Sequence, residues 1–364
     1  MDKKLGFGCM RLPLLESKEI NIEEFKKMVD YFIDHGFTYF DTAHGYHSGK
    51  SELALKEGLT KRYPRDRYQL TNKLSSSFFK TEEDIMPFFN SQLEACGVEY
   101  FDYYLMHAQS KENYGQYMDC HAYEVGKKLK EMGKIKHLGI SFHDSAEFLE
   151  KIINEHPEIE IVQIQLNYYD YESANVQSRK CYEVLKKHNI PAIIMEPVKG
   201  GILANVSNEV KDIYKKVTTG SPASMAVRFA ASFPLVQMVL SGMSNLDQVK
   251  DNVSYMEDFI PLSAEEYHAI AAAMVVLTNQ KKIECTACRY CTDGCPKKID
   301  IPGIFACYNQ WQQFKEWNCK YYYSLITAHG GKASECIKCG KCENICPQHL
   351  KIRDYLQEIS KEFD

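Results

Sequence analysis

The chain has 364 residues, 45% of them apolar, with 44 Lys and Arg set against 49 Asp and Glu for a formal charge of −5. That size supports one large domain and a small one, and so even a charge balance makes no electrostatic case for nucleic acid or an anionic membrane surface. The longest apolar run, "IAAAMVVL", is far short of the roughly 18 residues a membrane span needs; "MDKKLGFGCMRLP" is broken by glycines and a proline before a signal-peptide core forms, so a cytoplasmic protein is expected.

In chain order, "KLGFGCMRL" is a short apolar run, "IEEFKKMVDYFIDHG" carries apolar residues at helical spacing and stops at Gly36, and "FTYFDTA" is strand-like again. The alternation continues through "YQLTNKL", "FDYYLMH", "HLGISF", "IVQIQLN", "PAIIMEPV" and "LVQMVLSG", with helical patterns such as "EEDIMPFFNSQLEACG" and "SAEFLEKIINE" between them. Eight strand candidates, each followed by a helix, match the size and order of a (β/α)8 TIM barrel over residues 1–280. A doubly wound sheet competes, but no Gly-rich dinucleotide fingerprint follows an early strand. The polar "TNQKKIE" then marks a boundary, and residues 281–364 read as a second, smaller domain.

Chemistry in such a barrel sits at the carboxyl ends of the strands. Strand two ends in Asp41 with Tyr46 just beyond, strand three ends in Lys73, and strand four ends in His107. An acid, a phenol, an ammonium and an imidazole at one mouth are suited to protonating a carbonyl oxygen. The phenol is the donor, a neighbouring ammonium is expected to favour its ionised form, Asp41 holds Lys73 charged, and His107 hydrogen-bonds the oxygen.

The order Asp41, Tyr46, Lys73, His107 resembles the catalytic tetrad of the aldo-keto reductases. "GFGCMRLP" looks like that family's first strand, "GIS" at 139–141 like its strand-five motif, "VQIQLNYY" like its strand-six motif, and "SGMSNLDQVKDNV" like its cofactor-phosphate segment. The resemblance implies NADPH or NADH as cofactor and a small-molecule carbonyl or alcohol as substrate. It implies that Ser141 and Gln163 hold the nicotinamide carboxamide, and that Ser241, Gly242, Met243, Ser244 and Asn245, with Gln248 and Asn252, cradle the adenosine phosphates. Three residues depart from the family pattern: Phe142 stands where many members have Asn, Met195 where an aromatic often stacks on the nicotinamide, and Gln248 where an Arg often meets the 2′-phosphate, which weakens the case for NADP over NAD. The stretch from Tyr46 to Glu52 also differs in length from the commonest "YGxSE" form.

The cysteines point to a second chemistry. Of fourteen, only Cys9, Cys96, Cys120 and Cys181 precede residue 280. "CTACRYCTDGCP", with Cys285, Cys288, Cys291 and Cys295, recurs as "CIKCGKCENICP", with Cys336, Cys339, Cys342 and Cys346, at identical spacing. Two copies of C-x2-C-x2-C-x3-C-P signal two 4Fe–4S clusters whose fourth ligands are exchanged. Cys285, Cys288, Cys291 and Cys346 would hold one cluster, and Cys336, Cys339, Cys342 and Cys295 the other. Zinc also binds paired C-x2-C knuckles but does not call for two quartets each closed by Pro. "CPKKIDIPGIF" and "CPQHLKIRDYL" extend the repeat, each starting a helix. The aromatic insert Ile304 to Gly330 resembles the helical ferredoxin type, its Trp and Tyr residues are expected in the core and at the barrel interface, and Cys307 and Cys319 are expected to be buried.

The whole chain thus resembles the ferredoxin-bearing branch of the aldo-keto reductases: a TIM barrel followed by a small, mainly helical ferredoxin-like domain. Nicotinamide delivers two electrons as hydride while each cluster passes one, and the sequence shows no recognisable flavin site to convert between them, although a bound flavin stays open. Three readings follow: a carbonyl reductase with structural or sensing clusters; an electron-transfer enzyme whose clusters feed or drain the barrel, with a ferredoxin or flavodoxin partner; and a regulatory subunit with a retired barrel, which the complete tetrad disfavours.

Overall fold

A computed structural model describes residues 3–173, 176–279, 283–285, 287–315, 318–328 and 330–364. The expected runs become the strands β1 (Leu5–Gly8), β2 (Tyr39–Asp41), β3 (Gln69–Leu74), β4 (Phe101–Gln109), β5 (Ile135–Phe142), β6 (Ile161–Gln165), β7 (Ala192–Met195) and β8 (Val236–Gly242). Each is parallel to its sequence neighbour, and β8 closes on β1 through Leu5–Val239 to Gly8–Gly242, completing the barrel. The strands are buried on both faces, which is why they read as continuous apolar runs. Helices between them are started by side chains that accept the first free amides: Asn21 before Ile22–Asp34, Ser145 before Ala146–Glu155, Ser221 before Pro222–Ala231 and Asn245 before Leu246–Met256. Glu82–Cys96 begins with a Thr81–Asp84 capping box and ends at left-handed Gly97.

The barrel interior sets the height of the site. Tyr39, Tyr103, Leu105, Ile161, Ile193, Met238 and Leu240 form one buried layer. Side chains on a strand return to the same face every second residue. One such step beyond Tyr39, Leu105, Ile161, Ile193 and Leu240 brings Asp41, His107, Gln163, Met195 and Gly242 to the carboxyl mouth, with Lys73 two residues past Thr71, whose hydroxyl meets Tyr39 at 2.6 Å.

The chain divides into two compact units, Met1–Ile270 and Ala271–Asp364. The polar stretch read as the boundary lies partly outside the described residues, as do Glu316 and Trp317 of the aromatic insert. The second unit is helical, with Ile301–Phe314, Asn318–Thr327 and Ile352–Phe363 as its longer elements. Ile299, Ile301, Ile304, Phe305, Tyr308, Tyr323, Ile352, Leu356 and Ile359 make its core, against which Trp311 packs; Cys307 and Cys319 are buried as expected. Backbone conformation repeats in register with the cysteines. Ala287 and Lys338, Arg289 and Gly340, and Lys298 and His349 are matched pairs, all with φ between 51° and 77°. Among the described residues no helix is long and apolar enough to cross a membrane.

Gly139 lets β6 approach β5. A Cβ there would stand 2.4 Å from the Ile161 carbonyl oxygen and 2.9 Å from Leu105. Gly139→Ala is expected to cost about 1–3 kcal/mol through overpacking, read as a lower denaturant midpoint for unfolding of the barrel; an unchanged midpoint would show that the strands part without cost.

Candidate functional site

Lys73 is the most buried ammonium at the mouth, 1% exposed. Its Nζ donates to Asp41 Oδ1 at 2.6 Å and to the Thr42 carbonyl at 2.7 Å, and lies 3.4 Å from the Tyr46 hydroxyl. Burial works to lower the Lys73 pKa, but the Asp41 charge, aided by Tyr46, holds it above the ordinary lysine range. Burial lifts the Asp41 carboxyl while the Lys73 ammonium opposes the lift; the 2.6 Å contact is that of an ammonium on a carboxylate. The tetrad geometry therefore brings together all four expected residues, with the Tyr46 and His107 rings meeting edge to face at 6.1 Å.

One expectation is corrected. The ammonium was expected to lower the phenol's pKa, yet Tyr46 sits above its ordinary value: burial raises it, Lys73 pulls it down, and Asp41 raises it again. Desolvation of the phenolate outweighs one cation that already spends its short hydrogen bonds on Asp41 and Thr42.

The unusual length after Tyr46 is absorbed by a left-handed turn. His47, Ser48 and Gly49 have φ of 50°, 56° and 85°, and the His47 ring accepts the Leu12 amide at 3.1 Å, tying the turn to the segment after β1. Behind Lys73 runs a polar network not anticipated from sequence. Fully buried Glu52 meets His44 Nδ1 and Asn72 Nδ2, each at 2.7 Å. Asn72 Oδ1 accepts from the Lys73 amide and from Gln92, whose Nε2 also reaches the Lys73 carbonyl and whose Oε1 accepts from Tyr104. Both peptide groups of Lys73 are thereby fixed by side chains.

Ser75 is the second residue missed. Its Oγ stands 2.5 Å from His107 Nδ1. Burial, with Lys73 and His143 adding positive charge, keeps the His107 pKa well below its ordinary value, so the ring is neutral near pH 7. The Ser75 hydroxyl and Nδ1 share one proton in this contact; when the hydroxyl donates, the ring proton is on Nε2 and faces away from Ser75. The sole signal in the sequence was a hydroxyl two residues past Lys73. The strand itself turns at this point: register shifts between Met106 and Gln109, and Ala108 has φ 51°. Its amide donates to Ser141 Oγ at 2.7 Å, so Ser141 holds the bulge that aims His107.

Ser141 and Gln163 are register partners on β5 and β6. Gln163 Oε1 is buried with no hydrogen-bond partner among the described residues, and Ser141, which accepts the Ala108 amide, keeps its own proton to donate. An orphaned acceptor beside an available donor is the complement of a primary carboxamide, so these residues fit a nicotinamide. The phosphate segment is different. Ser241 and Met243 are buried, Asn245 Oδ1 accepts the Gln248 amide, Gln248 Oε1 accepts the Ser244 amide, and Asn252 donates to the Gln248 carbonyl. Asn245, Gln248 and Asn252 thus close the helix start on themselves. The loops after β6 and β7 are joined by a second buried pair, Lys199 Nζ on both Asp170 oxygens at 2.6 and 2.7 Å.

In the second unit the eight motif cysteines fall into two sets. Cys285, Cys288, Cys291 and Cys346 line one cavity, with Ile301, Phe305 and Leu350; Cys295, Cys336, Cys339 and Cys342 line another, with Ile299, Ile301 and Leu356. Each set takes its fourth cysteine from the other motif, as the spacing predicts. Four cysteines at each cavity are the ligand set that a cubane cluster takes. Burial and the neighbouring cysteines push the Cys291 thiol up to about 12, and burial with Glu343 and Cys336 pushes Cys342 up to about 11.

A family model described as the aldo/keto reductase family matches residues 4–274, and one described as a 4Fe-4S dicluster domain matches 284–351. The chain is similar to "Probable aldo-keto reductase 1" of Glycine max, 27% identical over 241 residues that make up 63% of this chain and 64% of that protein; it thus spans somewhat less than two thirds of that relative. It is also similar to the 9,11-endoperoxide prostaglandin H2 reductase of Trypanosoma cruzi, 25% identical over 66% of this chain and 80% of that one. An aldo-keto reductase structure from Bacillus halodurans shares the barrel at a TM-score of 0.61 and 23% identity, covering 74% of this chain and 91% of that one.

The cavities generate a direct test of composition. Anaerobically prepared protein is expected to contain about eight iron and eight acid-labile sulfide per chain; two zinc per chain without sulfide would contradict the assignment.

Proposed function

Because the chain belongs to the aldo/keto reductase family, we propose that its barrel, residues 1–280, interconverts a small-molecule carbonyl and its alcohol, and that residues 281–364 hold two 4Fe–4S clusters that exchange electrons with a partner. A bound NADPH or NADH supplies hydride to the carbonyl carbon, and a bound cluster takes or gives one electron at a time. In the reductive direction the Tyr46 phenol gives its proton to the carbonyl oxygen. The phenol's raised pKa keeps the proton in place until charge develops on that oxygen, and the Lys73 ammonium 3.4 Å away stabilises the phenolate left behind. Asp41 keeps that ammonium charged and oriented. His107, neutral and protonated on Nε2, donates a second hydrogen bond to the same oxygen. Ser141 and Gln163 position the carboxamide, and Ser244, Asn245, Gln248 and Asn252 lie where the adenosine phosphates are expected. What carries the reading is the Asp41–Lys73–Tyr46 chain, a desolvated ammonium held on one side by a carboxylate and on the other facing a phenol.

Conduction by the clusters is favoured over bracing because the two cysteine cavities adjoin: Ile301 lines both. Neighbouring clusters pass single electrons between them, whereas a brace needs no such adjacency.

Tyr46→Phe is expected to lower carbonyl reduction by roughly 10²–10⁴-fold while nicotinamide binding, followed by fluorescence quenching, survives; reduction of the best substrate at the parental rate would remove Tyr46 from the acid's role. Ser75→Ala is expected to lower kcat by about tenfold with little change in the nicotinamide dissociation constant, and Ser75→Thr to restore it, because only the hydroxyl sets the His107 tautomer. Nitrogen NMR of His107 reads the same change directly; an unaltered tautomer in Ser75→Ala would exclude this positioning role.

A further inference from the structure

The two halves of the cluster unit share a backbone but not a rim. Matched in register from Cys285 and Cys336, Lys297 corresponds to Gln348, Lys341 to Tyr290 and Lys338 to Ala287. Lys297 and Lys341 line the cavity of Cys295, Cys336, Cys339 and Cys342, are exposed, and meet no carboxylate among the described residues. Lys338, also exposed, meets only the Gln357 carbonyl oxygen at 3.2 Å. Arg353 on the same rim is neutralised by Glu343 at 2.6 Å, while Glu335 beside Cys336 is exposed. The other cavity has a single lining cation, Arg289, which is paired with Asp300 at 3.1 Å. Among the described residues, two lysines without carboxylate partners, Lys297 and Lys341, thus line one cysteine cavity and no lysine lines the other. Cys339 is exposed at that same rim, beside Ile337, which is 56% exposed.

We propose that the rim around Cys339 is the docking face for an acidic one-electron carrier protein, and that electrons enter or leave the chain there. This rests on the reading that the clusters conduct. An exposed apolar residue ringed by lysines has the make-up of a transient interface, an apolar centre with a charged border that steers an oppositely charged partner. A small anion would need a concave pocket of converging donors, whereas these lysines stand on exposed surface around a cysteine that reaches solvent. The docked carrier passes one electron to the cluster held by Cys295, Cys336, Cys339 and Cys342; the carrier leaves oxidised by one electron, the cluster is reduced by one, and no bond or proton changes. The second cavity, adjoining through Ile301, is next in line.

The test uses the full iron-loaded chain, with a small acidic plant-type ferredoxin as probe and photoreduced deazaflavin as an uncharged reductant. In Lys297→Glu/Lys341→Glu the association rate constant for the reduced ferredoxin is expected to fall at least about tenfold at low salt and to lose most of its ionic-strength dependence. Iron content and deazaflavin reduction should be unchanged. Gln348→Glu, at the matched position of the other rim, should leave ferredoxin association as it is. An unaffected double variant overturns the proposal, and so does a loss confined to Gln348→Glu. If the double variant loses ferredoxin association while no electron from any donor reaches the barrel, the docking face stands and the conduction reading fails.

Discussion

The barrel site depends on a single buried ion pair. An ammonium that is 1% exposed can remain charged only if a carboxylate and further acceptors replace the water it has lost, and Asp41 and the Thr42 carbonyl do so. The pair constrains its surroundings. The β2–β3 register pairs Asp41 with Thr71, two residues below Lys73, so the long Lys73 side chain spans that step to reach Asp41. The ion pair also bears on Cys9, buried close by, whose pKa is raised by burial and by the Asp41 charge, keeping the thiol neutral. Removing one partner of such a pair typically costs about 3–5 kcal/mol because it strands the other charge. The electrostatics of the tetrad and the stability of the upper barrel are therefore coupled.

Around this pair the fold keeps polar groups unsatisfied where a ligand would be met. Gln163 Oε1 and Asp41 Oδ2 are both buried without partners among the described residues. Such groups normally cost stability. Backbone strain gathers at the same mouth: Ala108 beside His107, His47 and Ser48 beside Tyr46, and Glu196 and Lys199 after β7 all adopt left-handed conformations. These are positions where packing elsewhere holds the chain against its local preference, as expected where geometry serves binding rather than folding.

The sequence made the large features readable because they follow from periodicity and spacing. Eight apolar runs became eight strands, and Asp41, Lys73 and His107 sit where strand ends place them. The cysteine spacing carried the division of the eight cysteines into two quartets, since the quartets it implies are those that line the two cavities. What stayed hidden is tertiary. Ser75 matters only because the bulge at Met106–Gln109 swings His107 toward it. Glu52, Asn72 and Gln92 come from separate elements and look like ordinary polar residues until the barrel closes. The phenol's pKa direction depended on weighing burial against one shared cation, which spacing does not report.

The cluster unit shows which residues a duplicated motif has liberty to change. Cysteines, the prolines after them, the core apolar positions and the left-handed backbone sites are matched between the halves, because each shapes the cavity a cubane must fill. Even the costly conformation is kept: Ala287 and Lys338 share a φ near 55° although neither is glycine. Of the positions that diverge, Lys297 and Lys341 line one cavity and Gln348 lines the other, while Tyr290, the match of Lys341, is exposed to solvent. Identical cores with unlike rims give two clusters of the same kind in different fields. Charge on exposed surface can vary without disturbing the residues that close a cavity, so the two cysteine quartets keep one shape while their rims carry different charge.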